Sequence, residues 1–524
     1  MGAAEILAVL MVVAVCGLLM AGYPVALTLG GVSLAFAFLG DAMGVMDLRF
    51  LGALPQRIYG VITNEVLLAI PLFIFMGVML ERSRVAEDLL ETMGRLFGPL
   101  RGGLGISVVI VGVLLAAAKG VVGATTVAMG LIVLPAMLRH GYDPRLAAGT
   151  VAATATLAQI FPPATVLVLL GDQLSNSYQA AQLAQGVFAP NSVSVSDLFA
   201  GAIVPGFALV LAYMAYLVAM AVFFPKSSPS IPPDPDAPHG WALARKLIEV
   251  LVAPILLIVA VLGSILGGLA TPTEAASVGA FGAILLAAHR IGPRGWPILL
   301  AASAVMAVLA LPGFVDPRLG RAYGLADRSG LIVALALLIA IALGTAVAVW
   351  RVHQAGFLVP VMTRTAQTTS MIFTILIGAT LFSLVFRGLG GDDMVHRALS
   401  DLPGGVAGAI LVVMVAMFLL GFVMDAFEII FVVVPIVAPA LLKMPGVDPV
   451  WLGIMMAVNL QTSYMHPPLG PTLFFLRAVA PPQITTMHIY VGVIPFVLIQ
   501  LAALGLLWYF PALATALPNA LYGR

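Results

Sequence analysis

The chain has 524 residues, of which 62% are hydrophobic and 9% are charged, and its mean hydropathy is +1.12. This composition excludes an ordinary soluble protein and predicts a polytopic helical membrane protein. The formal net charge of +1 gives no reason to expect nucleic acid or a strongly acidic partner. The single cysteine, Cys16, excludes an internal disulfide and a cysteine metal site.

Runs of apolar residues predict where the chain crosses the membrane. The predicted spans lie near 5–21, 24–40, 70–80, 104–118, 126–138, 146–160, 163–171, 198–224, 249–269, 273–289, 295–311 and 330–350. A polar loop is predicted from Asp172 to Asp197. Two charged amphipathic segments, 81–96 and 387–402, are too polar to span and are expected at the interface, as clamping arms or as solvated loop helices.

Glycines and prolines recur with the same spacing in two parts of the chain. The intervals 77–120 and 378–421 each separate two glycines by 43 residues. The intervals 144–162 and 449–467 each separate an Asp-Pro pair from a Pro-Pro pair by 18 residues. Two equal spacings around matching motifs predict two homologous halves.

The halves predict an all-α integral membrane carrier in which each repeat contains an arm helix, a re-entrant hairpin and a broken helix. We expect N-terminal scaffold spans at 1–60, a first repeat at 61–224, a proline-rich linker at 225–248, scaffold spans at 249–290, an insertion of two extra spans at 291–353, a second repeat at 354–515 and a C-terminal tail at 516–524. Transport requires that one site be reached from both sides, which favours inverted repeats.

Each half carries polar residues and helix breakers at what should be membrane depth. These stretches are Gly120–Thr126 and Thr154–Thr165 in the first half, and Gly421–Glu428 and Asn459–Thr472 in the second. An unsatisfied backbone group in hydrocarbon costs several kcal/mol, so broken helices survive there only against protein or a wet cavity. A single break could be a proline kink that serves packing alone. Its recurrence favours a shared binding site near the midplane.

Asp425 and Glu428 are the carboxylates of the second half's first stretch. They stand three residues apart and would share one face of a helix. Intramembrane carboxylates are costly, so they are candidates for sodium or proton coupling, or for holding a hairpin open to solute. The alternative is a hydrogen-bonded carboxylate that braces two helices. Arg477, nine residues beyond Pro468, either pairs with a substrate carboxylate or snorkels to the headgroups.

Hydroxyl and amide oxygens cluster at the breaks, together with backbone carbonyls freed at the proline pairs. The candidate ligands are Thr125, Thr126, Thr154, Thr156 and Gln159 in the first half, and Gln461, Thr462, Ser463 and Thr472 in the second. Hard oxygen ligands without a carboxylate cage suit Na⁺ better than a transition metal. Serine and threonine also pack in membrane helices, so each residue alone has a structural alternative.

Enzyme signatures are absent from the sequence. It contains no Walker A loop, no HExxH motif and no soluble-type catalytic constellation, so we expect neither an enzyme nor an ATP-driven pump. An intramembrane aspartyl protease using Asp425 is an alternative that requires a second intramembrane aspartate. The nearest candidates, Asp392, Asp393 and Asp448, fall in predicted loops.

Several motifs together resemble the large membrane subunit of tripartite ATP-independent periplasmic (TRAP) transporters. They are GYPVA at 22–26, PLF at 71–73, the tip at 120–126, the segment from GYDP at 141–144 to the proline pair at 162–163, PG at 205–206, ATPTEAA at 270–276, and the stretches 421–428 and 459–472. The resemblance covers most of the chain outside 292–350. DAFE at 425–428, NLQTS at 459–463 and FLRAVAP at 475–481 look like the branch labelled for mannitol, chloroaromatic compounds or 2-oxo acids.

The resemblance implies a multi-pass carrier of small organic acids in the bacterial inner membrane. The carrier would work as an elevator, be driven by a Na⁺ gradient and need no cofactor other than that coupling ion. The implied partners are a separate small four-span membrane subunit and a periplasmic solute-binding protein. A stand-alone Na⁺- or H⁺-coupled carboxylate carrier without a binding protein is the alternative.

The same resemblance distributes roles among the candidate residues. Substrate would lie between the two tips and contact Gly123, Thr125, Asp425, Glu428 and Arg477. Sodium would lie at the two breaks, held by Gly120, Thr126, Thr156 and Gln159 in the first and by Gly421, Gln461, Thr462, Ser463 and Thr472 in the second. His466 replaces the threonine that usually precedes the second proline pair, which removes one hydroxyl contact.

Overall fold

The structure is a computed structural model that describes residues 2–83, 85–231, 241–292, 295–310, 325–422 and 424–523. Throughout these residues the chain forms helices and no strand. The α-helices are α1 (Ala3–Met20), α2 (Val25–Ala42), α3 (Leu54–Ile62), α4 (Ala69–Arg82), α5 (Val85–Phe97), α6 (Gly103–Lys119), α7 (Val122–Arg139), α8 (Pro144–Thr156), α9 (Thr165–Ala184), α10 (Val195–Phe223), α11 (Trp241–Leu266), α12 (Pro272–Ile291), α13 (Trp296–Ala310), α14 (Leu325–Gln354), α15 (Leu358–Gly388), α16 (Gly391–Ser400), α17 (Gly405–Leu420), α18 (Ala426–Val432), α19 (Val434–Leu442), α20 (Pro449–Met465), α21 (Pro471–Val479), α22 (Thr486–Tyr509) and α23 (Ala512–Tyr522). Short 3₁₀ segments lie at Leu48–Ala53, Glu65–Leu68 and Leu157–Gln159.

Eight of the described helices are long and apolar enough to cross a membrane. A ninth candidate joins Leu48–Ile62 to Glu65–Arg82, which meet at an angle of 49°. Large apolar side chains point outward along many helices, for example Leu10 on α1 and Leu335 on α14, as expected where lipid is the solvent. The predicted all-α polytopic membrane fold is confirmed.

The two halves follow the same order of elements. Each has a helix (α4, α15), a short amphipathic arm (α5, α16) and a turn at a left-handed glycine, Gly102 or Gly404. A hairpin follows, formed by α6 and α7 in the first half and by α17, α18 and α19 in the second. Next come a helix that ends at the proline pair (α8, α20), a helix beyond the pair (α9, α21) and a long closing helix (α10, α22). The predicted repeats, each with a hairpin and a broken helix, are confirmed.

Helices α8 and α20 begin in the same way because the sequence supplies the same N-terminal signals. The side chain of Asp143 accepts a hydrogen bond from the Arg145 N–H at 2.7 Å, and that of Asp448 accepts one from the Trp451 N–H at 2.8 Å. A proline occupies the first helical position in both helices. An aspartate N-cap followed by proline is a strong signal for the start of a helix. The two helices therefore begin at equivalent positions of the two repeats.

The two repeats meet at Thr156 of α8 and Gln461 of α20. These residues hold equivalent positions 305 residues apart, and the Gln461 amide nitrogen lies 3.4 Å from the Thr156 hydroxyl oxygen. A contact between equivalent residues places the approximate symmetry axis of the repeats between them. Gln500 of α22 donates to the same hydroxyl at 3.3 Å and to the Tyr213 hydroxyl of α10 at 2.7 Å. All four side chains are buried.

Small residues let the helices around this axis pack closely. A Cβ built on Gly149 of α8 would lie 2.0 Å from the carbonyl oxygen of Gly492 on α22. The two backbones are therefore in direct contact, which is typical of helix pairs in membranes.

Helices outside the hairpins and broken helices form a scaffold. Helix α2 packs on α15 and helix α12 packs on α4, so both halves use one scaffold helix in the same way. The arms are tied to this scaffold by two ion pairs, Arg397 of α16 with Glu5 of α1 and Arg290 of α12 with Asp88 of α5. The inserted helices α13 and α14 pack on each other and on α12.

Three segments differ from the sequence predictions. The predicted loop from Asp172 to Asp197 is helical as far as Ala184, because Leu174, Ser177 and Ala181 form a buried face on α9. Helix α11 begins at Trp241, inside the predicted linker. The predicted C-terminal tail is largely the helix α23, which packs on α10 through buried Ala514.

Part of the predicted linker, 232–240, lies outside the described residues. The loop of the predicted insertion that carries Asp316, Arg318 and Arg321 also lies outside them.

Candidate functional site

A cavity of about 1150 Å³ lies between the scaffold helices α4 and α15 and the tips of both hairpins. Its polar lining comes from α4, α15, both tips and both broken helices. The residues that matter below are Arg82, Gly120, Gly123, Gln159, Arg364, Asp425, Glu428, Tyr464 and Phe475.

The tip of the first repeat presents the uncapped start of a helix. Helix α7 begins at Val122, and its N-cap residue, Val121, makes no side-chain hydrogen bond to it. The first N–H groups of a helix have no partner within the helix, and together with the helix dipole they attract anions. Gly123 lines the cavity here, and a Cβ on it would lie 3.1 Å from the ring of Phe475, so the tip backbone lies against α21.

The tip of the second repeat carries its own cap. The Asp425 carboxylate accepts from the Ala426 N–H at 2.6 Å, and the Glu428 carboxylate accepts from the Asp425 N–H at 3.0 Å. The Tyr464 hydroxyl accepts from the Ala426 N–H at 2.9 Å. Both carboxylates line the cavity. Asp425 is the N-cap residue rather than a residue within the helix, because aspartate prefers that position and α18 begins at Ala426.

Unpartnered oxygens mark the first break. Gln159 Oε1 and Thr165 Oγ1 are buried and have no hydrogen-bond partner. A Cβ on Gly120, whose φ is +60°, would lie 2.9 Å from Thr165 Oγ1 and 3.4 Å from the Pro163 carbonyl oxygen. The glycine thus lets the first tip approach the break. Sequence patterns did not single out Thr165 as a ligand, although its place two residues after the proline pair was a usable signal.

The second break has the same character. Gln461 Oε1 and Thr472 Oγ1 are buried without partners. A Cβ on Gly421 would lie 2.2 Å from the Ser463 Oγ atom, so this tip also approaches its break closely. His466 packs between Phe418 and Phe422, with ring centroids 5.1 and 5.3 Å away.

The remaining predicted ion ligands bond to their own helices. The hydroxyls of Thr126, Thr156, Thr462 and Ser463 each donate to a carbonyl three or four residues earlier, at 2.8 Å. Such a bond uses the hydrogen and leaves the oxygen able to accept. In Thr156 that oxygen already accepts from Gln461 and Gln500. No cluster of three acidic, histidine or cysteine residues that could hold a metal occurs in the described part of the chain. Neutral hard oxygens, several of them unpartnered, fit Na⁺.

Two predicted substrate residues do not reach the cavity. Arg477 is exposed on α21 and donates to the Ile484 carbonyl. Thr125 is buried and donates to the Val121 carbonyl at 2.9 Å. Two arginines that sequence patterns did not single out, Arg82 of α4 and Arg364 of α15, line the cavity instead. Arg364 lies near the start of α15, a helix long enough to cross a membrane, and a charged residue in such a helix was the missed signal.

The three aspartates considered as protease partners lie elsewhere. Asp392 and Asp393 are on the arm α16, and Asp448 caps α20. None of them lines the cavity that contains Asp425. The carboxylates that line the cavity together with Asp425 are Glu428 and Glu81.

Residues 10–315 and 318–513 match the sequence family described as "Tripartite ATP-independent periplasmic transporter, DctM component". The chain is 28% identical over 516 residues to the C4-dicarboxylate TRAP transporter large permease protein DctM of Vibrio cholerae, across 98% of each chain. It is 26% identical over 504 residues to the isethionate TRAP transporter permease protein DctMQ of Oleidesulfovibrio alaskensis, across 94% of this chain and 64% of that one.

Among solved structures, the YdaH transporter of Alcanivorax borkumensis has a similar fold. The TM-score is 0.56 and the sequence identity is 17%, across 98% of this chain and 99% of that one. The family match extends over both repeats, the scaffold helices and all the residues of the cavity described above. The chain therefore belongs to the DctM component family of tripartite ATP-independent periplasmic transporters and is a multi-pass protein of the bacterial inner membrane.

Proposed function

We propose that the chain is the transport subunit of a Na⁺-coupled, binding-protein-dependent importer of small carboxylates. The observation that carries this proposal is the pair of breaks with unpartnered buried oxygens, Gln159 and Thr165 in one and Gln461 and Thr472 in the other, next to a shared cavity. Buried polar groups without partners are rare and call for a ligand.

In this proposal the residues of the two breaks bind Na⁺, and the cavity beside them binds the solute. At the first break the Gln159 and Thr165 oxygens and the Gly120 carbonyl would hold one Na⁺. At the second, the Gln461 and Thr472 oxygens and the backbone at Gly421 would hold another. A bound cation supplies positive charge beside the cavity and favours an anionic solute there. Since each tip backbone lies against its break, filling the breaks would also order the tips.

Movement as an elevator is supported by the division between scaffold and hairpins. The cavity lies at the boundary between the scaffold helices α4 and α15 and the two tips. The arms α5 and α16 are anchored to the scaffold by the Arg290–Asp88 and Arg397–Glu5 ion pairs. The hairpins and broken helices would move as one body, because they are joined through the buried contact of Thr156 with Gln461.

The proposed partners are a small membrane subunit and a periplasmic binding protein. The printed names of the relatives describe TRAP transporters of C4-dicarboxylates and isethionate, and DctMQ names a permease with two components. A carboxylate or sulfonate group is common to these solutes, which supports an anionic substrate here. The label of 2-oxo acids, mannitol or chloroaromatic compounds stays a prediction.

Uptake into proteoliposomes tests this function. The chain and its small subunit are reconstituted, and the binding protein carrying its co-purified ligand is added outside, with and without an inward Na⁺ gradient. We expect uptake only when both are present. Uptake that does not need the binding protein would favour a stand-alone carrier, and uptake indifferent to Na⁺ would contradict sodium coupling.

A further inference from the structure

The two tips that border the cavity offer opposite chemistry to a solute. At the first tip no side chain caps α7, so its N-terminal N–H groups face the cavity region at Gly123. At the second tip the same helix position is occupied by carboxylates, Asp425 as N-cap and Glu428 three residues later. One end of the cavity therefore attracts anions, and the other accepts hydrogen bonds.

Each carboxylate of the second tip uses one oxygen for the cap. Asp425 Oδ1 accepts from Ala426 N–H, and Glu428 Oε2 accepts from Asp425 N–H. The cap leaves the other oxygen of each group as an acceptor, and both residues line the cavity. A solute that presents only oxygen acceptors to this tip would meet carboxylate oxygens with no hydrogen between them, which is unfavourable in a site withdrawn from water.

An independent observation at the first break points to a ligand. The Gln159 side chain is 1% exposed and lines the cavity, and its Oε1 atom has no hydrogen-bond partner. It occupies the position in the first repeat that Tyr464 occupies in the second, 305 residues later in the chain. A primary amide offers both an acceptor and two donors. Its oxygen can face the ion while its N–H groups face a solute carboxylate.

We infer that the solute carries two unlike groups: a carboxylate, and a hydrogen-bond donor that is either a hydroxyl or an ammonium group. This inference rests on the proposed transport of carboxylates and specifies its substrate class. The carboxylate binds the start of α7 and the Gln159 amide, with Arg364 on the scaffold wall. The donor group binds the free oxygens of Asp425 and Glu428. A 2-oxo acid lacks that donor and is discriminated against.

Matched acids of one carbon skeleton test the inference. The full chain with its small subunit is placed in nanodiscs with Na⁺, and dissociation constants are measured calorimetrically for lactate, alanine, pyruvate and propionate, and for malate, aspartate, oxaloacetate and succinate. We expect the hydroxy or amino member of at least one series to bind about tenfold or more tightly than the oxo and unsubstituted members. Comparison of the hydroxy acid with the amino acid in each series tells whether the donor is a hydroxyl or an ammonium group.

Variants of the second tip extend the test. In Asp425→Asn the side chain still caps α18, because asparagine is an equally good N-cap, but its amide can donate to an oxo group. We expect the preference for the donor-bearing acid over the oxo acid to fall about fivefold or more. Glu428→Gln preserves the capping box and serves as the second variant. Asp448→Asn is the matched control, because Asp448 is an N-cap that does not line this cavity.

Tighter or equal binding of the oxo acids in the unaltered protein would overturn the inference. So would unchanged preferences in both tip variants, or no binding in either series. The proposed function is judged separately by Na⁺-driven uptake of the co-purified ligand. Uptake with a ligand that lacks the donor would retain that function and reject this substrate class.

Discussion

The tips of the two repeats occupy matching places, yet the helices that follow them begin in opposite ways. Helix α7 starts without a side-chain cap, whereas α18 starts with the Asp425 and Glu428 capping box. The breaks behind the tips, in contrast, are alike, and each holds one amide and one threonine oxygen without a partner.

The difference shows where symmetry is kept and where it is lost. The breaks and the glycines that contact them recur in both repeats, so they would give two ion sites of similar chemistry. A solute of a few atoms in a single cavity needs no such symmetry, and there the side chains differ. Substitutions at either break, or at the glycines that contact the breaks, should therefore impair Na⁺-dependent uptake to a similar extent in both repeats. Substitutions of the tip side chains should alter solute preference.

Glycine substitutions at the tips should have the largest effect. Gly120→Ala forces a left-handed alanine, at about 1–2 kcal/mol, and pushes on Thr165. Gly421→Ala would place a methyl group 2.2 Å from Ser463 Oγ. We expect each variant to insert in the membrane and to lose most Na⁺-dependent uptake.

The matched controls are glycines with open space around them. Gly44 has φ +67° and Gly30 lies in α2, and a Cβ on either would meet no atom within 4 Å. Alanine at these positions should leave uptake close to that of the unaltered protein. Unchanged uptake in Gly120→Ala or Gly421→Ala would contradict the close approach of tips and breaks.

Removal of the unpartnered hydroxyls should raise the sodium requirement. Thr165→Val and Thr472→Val keep the side-chain shape but delete one oxygen at each break. We expect each to raise the Na⁺ concentration for half-maximal uptake about tenfold, the equivalent of one lost contact of about 1.4 kcal/mol. Thr150→Val is the control, because Thr150 is equally buried but bonds only to the Leu146 carbonyl. If only one of the two variants shifted the dependence of uptake on Na⁺ concentration, the two breaks would not both bind Na⁺.

The two arginines distinguish the sequence prediction from the structural site. Arg364 lines the cavity, and Arg477 is bonded to the Ile484 carbonyl outside it. We expect Arg364→Gln to weaken carboxylate binding severalfold with little change in thermal stability, and Arg477→Gln to leave binding unaffected. Binding is measured by calorimetry in the presence of Na⁺. A larger loss of binding in Arg477→Gln than in Arg364→Gln would indicate that Arg477 binds the solute carboxylate.

The polar contact on the symmetry axis should have the smallest effect. Tyr213→Phe removes the hydroxyl that accepts from Gln500, which also donates to Thr156 between the two breaks. We expect a modest decrease in the Hill coefficient for Na⁺, with the maximal rate retained. Tyr216→Phe is the control, because Tyr216 packs on the same Phe496 ring at 5.0 Å. An equal change in both variants would assign the effect to ring packing alone.

Glycine and proline spacing was sufficient to predict the repeats, the hairpins and the breaks, because these residues act locally on the backbone. The same reasoning placed Asp425 and Glu428 at the site. It did not predict that Asp425 is the N-cap of α18, since the start of that helix depends on competition between capping and helix extension.

Other parts of the site depend on contacts between distant segments. Arg82 and Arg364 reach one cavity from helices almost 300 residues apart in sequence, and no local pattern joins them. Arg477 was predicted from its proximity to the proline pair, but the turn of α21 directs it to Ile484. Helix α9 was predicted too short, because polar residues from Asp172 onward concealed its buried face.

The central claim is that two sodium sites of similar chemistry, one at each break, serve one solute site. The most direct test is the ratio of Na⁺ to solute flux, measured from the reversal potential in proteoliposomes that contain the complete transporter and its loaded binding protein. The proposed function predicts at least two Na⁺ per solute, and a lower ratio when Thr165 or Thr472 is replaced by valine. A ratio of one or less in the unaltered protein would contradict the claim.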